Sequence, residues 1–446
     1  MQKTTLFEFS HYTTDFLNRN ITFVYTVYFE DGTYEKFIEV LELPTKVLEN
    51  KAYTPLIEKI LQTIHLALGI SYYKLFCSPK ITILSYEIDK KQADFWDTVY
   101  TKGLGQFYFV HKIDFRGLVQ FPYSTHVKQS SQRITLNPSK VLIPFGGGKD
   151  SILTLQQLRS LKKFETQGYI LKKNKMLSTI ADRHKITPLV VGRTLDPKIF
   201  TFSKNNVDNK DHVPITLIIS FISLLLAVLY DFGNVIIANE RSAEEGNTAY
   251  LGMDINHQWS KSLECERMIQ EYIEKNLMHC VTYFSLVRGL YDIEIVRRFV
   301  EEGLHKKLFT SCNAHFTFHE TNKSNLWCGK CPKCAYSFAL FSAFLPASEL
   351  QKIFGSNFFE KKELIQTYKD LLGIGVMKPF ECVGTPDEVQ VAFYRAYKRG
   401  ELQNTNAMKL FLSEVLPTID TIDTLEKKVF EKQRISVPLA FQSLTL

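Results

Sequence analysis

Six consecutive residues, Gly146-Gly147-Gly148-Lys149-Asp150-Ser151, place three glycines directly before an ammonium, a carboxylate and a hydroxyl. If a strand feeds the glycines and a helix follows them, the helix start presents backbone N–H groups without partners, and these attract phosphate. Glycine lets the backbone approach the anion closely. Asp150 can then hold a magnesium ion, Ser151 can donate to a phosphate oxygen and Lys149 can neutralise charge. Three glycines alone fit a plain turn equally well; the Lys-Asp-Ser that follows favours phosphate binding. The run lacks the longer loop and the Gly-Lys-Ser or Gly-Lys-Thr of a Walker motif.

A second stretch, Cys328-Gly329-Lys330-Cys331-Pro332-Lys333-Cys334, joins Cys312 upstream to give four thiols in one short region. Their number and tight spacing suit tetrahedral zinc, and four thiolates would leave no open coordination position. Such a metal would be structural, clamping the segment rather than activating water. An iron–sulfur cluster and buried free thiols are the alternatives. The remaining cysteines, Cys77, Cys265, Cys280 and Cys382, are scattered, and the first three read as core residues.

The elements that must position these groups follow from periodicity. From Lys140 onward strand, loop and helix alternate: 141–145 is strand-like, 152–161 has helical spacing, and 189–191 and 235–238 are later strands. This predicts an α/β fold, a parallel sheet with helices on both faces, whose ligands bind beyond the carboxyl ends of the strands. The site is expected at Gly146, near Arg193 and at 239–247. Before it, 1–137 reads as an α+β unit: a hairpin strand over 21–29 turned at 30–32, helices near 56–68 and 92–100, and a strand at 81–85. The second unit spans 138–345 and includes the cysteine segment 312–334; 346–446 reads as a mainly helical region. Residues 214–230 are apolar enough to suggest a membrane span but slightly short for one, and the turn at 231–233 followed by a strand favours a helix buried against the sheet.

A chain of 446 residues, 45% hydrophobic and 23% charged, can bury two or three cores and is not broadly disordered. Its formal charge of +7 suits a polyanionic small molecule or a nucleic-acid surface alike. The amino-terminal residues lack the basic start and apolar core of a secretory signal, which places the chain in the cytoplasm and its eight cysteines in a reducing compartment.

The glycine run resembles the Ser-Gly-Gly-x-Asp-Ser pyrophosphate loop of the ATP-pyrophosphatase (PP-loop) family, with Gly146 in place of the first serine. That resemblance implies attack at the α-phosphorus of ATP, transfer of AMP and loss of pyrophosphate. The cysteine quartet after such a loop is similar to that of the 7-cyano-7-deazaguanine synthase group, where it binds zinc, although about 135 residues here precede the loop and about 110 follow the quartet. A fuller set of segments resembles the UDP-N-acetylmuramoyl-L-alanyl-L-glutamate epimerase (MurL) family. These are the phosphate loop, Asn239-Glu240-Arg241-Ser242-Ala243 with Gly246-Asn247, Asn256-His257-Gln258, Ser311-Cys312-Asn313, 327–334 and Phe380-Glu381-Cys382-Val383-Gly384.

What that resemblance implies is an ATP-dependent epimerase. It would adenylate the terminal L-glutamate of a UDP-muramoyl dipeptide, remove and return the acidified Cα proton, and release AMP, with magnesium and a structural zinc. Gly146, Gly147, Gly148, Lys149, Asp150, Ser151, Asn239 and Arg241 would bind the nucleotide, and Arg193 would either join them or form a structural ion pair. Glu240, Asp254, His257 and Cys382 are the candidates for acid and base; the first three read equally as surface or hydrogen-bonding groups, and a structural role is the stronger reading of Cys382. Lys261, Arg288, Lys330 and Lys333 can bind diphosphate or simply be solvated. A nucleoside- or tRNA-modifying pyrophosphatase remains the rival enzyme, and a nucleotide-binding module without turnover a third class.

Overall fold

The computed structural model describes residues 3–44, 54–127, 131–172, 174–206, 212–315, 326–433, 435 and 437–444. Its strands are β1 (Thr4–Asp15), β2 (Asn20–Phe29), β3 (Tyr34–Glu42), β4 (Ile81–Ile83), β5 (Lys140–Pro144), β6 (Glu165–Leu171), β7 (Leu189–Thr194), β8 (Asn234–Ile237), β9 (Thr248–Tyr250), β10 (Met253–Ile255) and β11 (Thr282–Ser285). Nine of them form one sheet in the order β11-β8-β5-β6-β7-β3-β2-β1-β4, and β9 and β10 pair as a separate hairpin. Strands β11, β8, β5, β6 and β7 run parallel, as the alternation of elements predicts.

One feature of the sheet is absent from the sequence pattern. Strand β3 pairs antiparallel with β7, Leu41 opposite Arg193, so the amino-terminal hairpins extend the parallel half as a continuous surface. A register contact of this kind joins residues far apart in sequence, and no local periodicity encodes it.

Two cores lie on the two faces. Along β5, Val141 and Ile143 belong to one and Leu142 to the other, the period-2 alternation of a strand covered on both sides. The first core takes the helices Thr54–Tyr73 and Ile215–Tyr230. The second takes Lys149–Ser160, Asp292–Glu301, Pro332–Ser342 and the carboxyl-terminal helices, among them Pro386–Arg399. The apolar run 214–230 is therefore the buried helix that its flanking turn predicts. It ends where Asp231 adopts a left-handed conformation, φ 62°, and its carboxylate accepts from the Asn137 N–H at 3.0 Å. Among the described residues no helix is long and apolar enough to cross a membrane.

Candidate active site

Counted within the parallel half, the strand order is 3-2-1-4-5, and the chain leaves β5 and β8 in opposite directions. That switch point opens a crevice at the carboxyl ends of the two strands. Strand β5 delivers the glycine run to it and β8 delivers Asn239 and Glu240. Gly147 has φ +70°, and a Cβ there would stand 2.9 Å from Leu177 Cδ2, so only glycine fits. Gly148 caps the helix Lys149–Ser160 without any side-chain hydrogen bond, which leaves the first N–H groups of that helix for a ligand. The Ser151 hydroxyl donates to Gly148 O at 3.2 Å, and Thr310 N–H donates to Gly147 O at 3.1 Å, so the segment before Cys312 packs on the loop.

Beside the loop stand three carboxylates, Asp150, Glu240 and Asp292, with oxygens within 4.8 Å of one another. Asp292 opens the helix Asp292–Glu301, and its N–H donates to Ser242 Oγ at 2.8 Å. Lys149 lies among the acids, donating to Asp150 Oδ1 at 2.6 Å and also to Asp292. Burial opposes the Lys149 charge, but Asp150, Asp292 and Glu240 outweigh it and hold the ammonium above its ordinary value. The same burial pushes Asp150 up, with Lys149 opposing. Burial also acts to raise Asp292, but Lys149, Lys333 and Lys261 prevail and hold it at about 2. Tyr336 donates its hydroxyl to Asp292 Oδ2 at 3.0 Å. Glu240 Oε2 is buried with no hydrogen-bond partner among the described residues, and its other oxygen faces Lys261 Nζ at 3.5 Å. Three hard oxygen donors with one orphaned lone-pair set fit a divalent cation such as magnesium.

Positive charge borders this cluster. Burial opposes the Lys261 ammonium, yet Cys382 and then Glu240 hold it well above its usual value. Lys333, from the cysteine segment, is only 7% exposed rather than solvated, and Lys378 is likewise buried; Lys330 is exposed. Arg288 holds the frame: it pairs with Glu266 at 2.6 Å and donates to the carbonyls of Glu240 at 3.1 Å and Lys261 at 2.6 Å. It is thus a clamp on the backbone that carries two site residues.

The remaining candidates are placed more variously. His257 is buried among Lys261, Lys333 and Lys378, and burial followed by those charges lowers it to about 3, so it is neutral at physiological pH. Its Nδ1 pairs with Gln106 Oε1 at 2.6 Å. Asp254 is exposed on β10, at the edge of this group, against Gly246. Arg241 lays its guanidinium over the Tyr291 ring, 4.5 Å from the centroid, and Asn239 exchanges backbone hydrogen bonds with Ser285 Oγ. Arg193 does not join the crevice: it forms a buried ion pair with Glu39 at 2.6 Å inside the sheet. Asp292, Tyr336 and Glu388 escape sequence reasoning, because an isolated acid or tyrosine in a helix has no motif; Asp292 at a helix start offers the one weak signal. Glu388 is fully buried and accepts from Ser242, Ile293 and Thr385.

The four cysteine sulfurs of Cys312, Cys328, Cys331 and Cys334 also lie within 4.8 Å of one another, a geometry that can hold one metal ion. Cys331 caps the helix Pro332–Ser342, which carries Cys334 and Tyr336, so the knuckle and the carboxylate cluster share an element. A cavity of about 680 Å³, lined in part by Gln157, Arg298 and Gln433, contains none of these carboxylates or lysines.

Residues 1–286 match the family model for the MurL N-terminal domain, and residues 308–425 match that for the MurL C-terminal domain. The chain belongs to the MurL family. A relative from Xanthomonas oryzae pv. oryzae, UDP-N-acetyl-alpha-D-muramoyl-L-alanyl-L-glutamate epimerase, is 31% identical over 82% of this chain and 81% of its own length. Proteins of the same name from a Micromonospora species and from Salinispora tropica are each 29% identical, over 94% and 88% of this chain and 92% and 85% of their own. The MurL N-terminal match takes in both the glycine loop and Glu240, and the C-terminal match takes in the knuckle and Cys382.

Proposed function

We propose that this chain is a cytoplasmic, ATP-dependent epimerase that converts the terminal L-glutamate of UDP-N-acetylmuramoyl-L-alanyl-L-glutamate to D-glutamate in peptidoglycan precursor synthesis. The observation that carries the reading is the carboxylate cluster Asp150, Glu240 and Asp292 set against a glycine-capped helix start at the sheet's switch point. Relatives named for this reaction supply the substrate.

ATP is a substrate here. The open N–H groups of 147–149 receive its phosphates, and Asp150, Glu240 and Asp292 would hold magnesium, which when bound offsets phosphate charge. Lys149 exchanges its carboxylate partners for phosphate oxygens as the nucleotide enters. The substrate carboxylate attacks the α-phosphorus, the bond to the bridging oxygen breaks, and pyrophosphate leaves. Lys261, Lys333 and Lys378 offset the anionic groups that collect in the crevice. In the acyl adenylate the Cα–H is acidified, and a base takes that proton while the electron pair enters the activated carbonyl. Cys382 and Lys261 are assigned to proton exchange at Cα. Neutral His257 serves as a hydrogen-bond acceptor, and Glu240 stays with the cation. A proton returned to the opposite face inverts the centre, and water releases AMP from the acyl carbon.

The test incubates protein, ATP, magnesium and the L-glutamate dipeptide nucleotide in deuterated water. AMP, pyrophosphate and D-glutamate bearing an α-deuteron are expected. ATP cleavage stimulated only by a deazaguanine precursor or tRNA would replace this reading with the nucleoside-modifying one.

A further inference from the structure

The turn 380–384 carries Cys382, yet it belongs to no regular element and needs something to hold it. The cysteine knuckle holds it from two sides. Asn313, immediately after Cys312, donates its side-chain amide to Glu381 Oε2, and Lys333, immediately before Cys334, donates its ammonium to the carbonyl of Cys382. These tethers reach consecutive residues of the turn from opposite ends of the four-cysteine set. The turn is also closed on itself, Glu381 N–H to Pro379 O and Val383 N–H to Glu381 O, both at 2.8 Å. Gln258 donates to Val383 O at 2.9 Å. Cys382 thus sits between two braced neighbours, half-buried, with its thiol free of any disulfide. A long flexible lysine side chain loses rotamer freedom when it is buried, so its orientation depends on what fixes its backbone. Here the backbone of Lys333 lies between two thiol ligands of one metal position.

We propose that metal binding by Cys312, Cys328, Cys331 and Cys334 positions the Cys382 thiol, with Lys333 and Asn313 as the positioning residues that transmit the knuckle's geometry to the turn. The chemical use of that thiol rests on the proton exchange proposed above; the tethering does not. When the metal leaves, or when both tethers are cut, the turn relaxes and Cys382 is displaced while the sheet and the glycine loop stay in place. The knuckle is then a control point for the epimerisation step as well as a staple.

The experiment compares the metal-loaded full chain with Lys333→Met, Asn313→Ala, the double variant and Lys333→Arg, and with wild type after chelation. Two readouts are taken: iodoacetamide labelling of Cys382, resolved by peptide mass spectrometry, and α-deuterium incorporation against AMP release. Labelling of Cys382 should change by about tenfold in the double variant and by a similar factor on chelation, with the two perturbations not adding, as expected for one shared pathway. Deuterium incorporation should fall on the order of a hundredfold, the cost of roughly an ångström of misplacement, and by more than AMP release falls in the same variants. Lys333→Arg, which keeps a charged donor, should restore most of both. Unchanged Cys382 labelling in the double variant, with wild-type circular dichroism, overturns the proposal. Altered labelling in a protein that shows no deuterium exchange with the dipeptide supports the tether and counts against the substrate reading alone.

Discussion

Lys149 and Asp292 are 143 residues apart in sequence, yet the ammonium of the first donates directly to the carboxylate of the second inside the crevice. The contact fastens the glycine-loop helix Lys149–Ser160 to the helix Asp292–Glu301, with both partners buried. A buried pair of this kind is marginal as a source of stability but costly to break on one side.

Asp292→Ala should therefore destabilise the chain by about 3–5 kcal/mol, because Lys149 is left short of one buried counter-charge. Urea unfolding followed by circular dichroism measures it. Asp292→Asn, which keeps the shape and the Tyr336 contact, should lose less stability and still lose AMP formation. An Asp292→Asn variant with wild-type AMP formation removes Asp292 from the cation set.

Asp150→Ala should abolish pyrophosphate release from a chain that still folds, although it too removes a buried counter-charge from Lys149 and should lower the thermal midpoint. Pyrophosphate assay together with a thermal melt separates the two effects. Full activity in this variant removes the phosphate-loop assignment.

Glu388 gives the pH dependence. Burial, followed by the nearby Asp292 charge, raises its carboxyl to about 7 from 4.5, against the pull of hydrogen bonds from Thr385, Ile293 and Ser242. A raised folded-state value means that the folded chain holds the proton more tightly, so this contribution is fully present below about pH 4.5 and is lost as the pH rises through about 7. Unfolding free energies across pH 5 to 8 should show that decline, and Glu388→Gln should flatten it. The amide places N–H donors against donors already in place, so the variant should also be weaker overall by about 1–3 kcal/mol.

Arg193 and Glu39 form the buried pair where β3 meets β7. Arg193→Met should cost about 3–5 kcal/mol by leaving Glu39 uncompensated, with activity per folded molecule unchanged. Adding Glu39→Leu to Arg193→Met should recover part of the loss, because no buried charge is then left without its partner. A raised KM for ATP at full stability would instead put Arg193 in the nucleotide site.

Metal analysis should find about one zinc per chain, and Cys334→Ser should lose it and lower the thermal midpoint, because a structural site contributes its binding free energy to folding. Iron with visible absorption would replace zinc by a cluster.

The glycine loop and the four cysteines were legible because each is a local constellation: a backbone that must approach an anion needs glycine at successive positions, and one tetrahedral ion needs thiols within a few turns of one another. The buried helix over 215–230 and the parallel strands were legible for a similar reason, since burial on all sides leaves a continuous apolar run. The Arg193 alternatives could not be separated in the same way, because a strand-end arginine reads alike whether it faces a ligand or a carboxylate on a distant strand.

The sequence by itself determined the glycine turn after the first parallel strand, the four-cysteine cluster, the parallel half of the sheet and, through the segments it shares with the MurL family, the relatives of this chain. The tertiary structure alone decided that Asp292 joins the carboxylate cluster with Tyr336 bonded to it, that Arg193 supports the sheet, that Lys333 is buried against Cys382, and that the first hairpins continue the parallel sheet. Those outcomes depend on contacts between residues tens to hundreds of positions apart. Short-range spacing fixes what a segment can do, whereas which buried charges meet is set by how the segments pack.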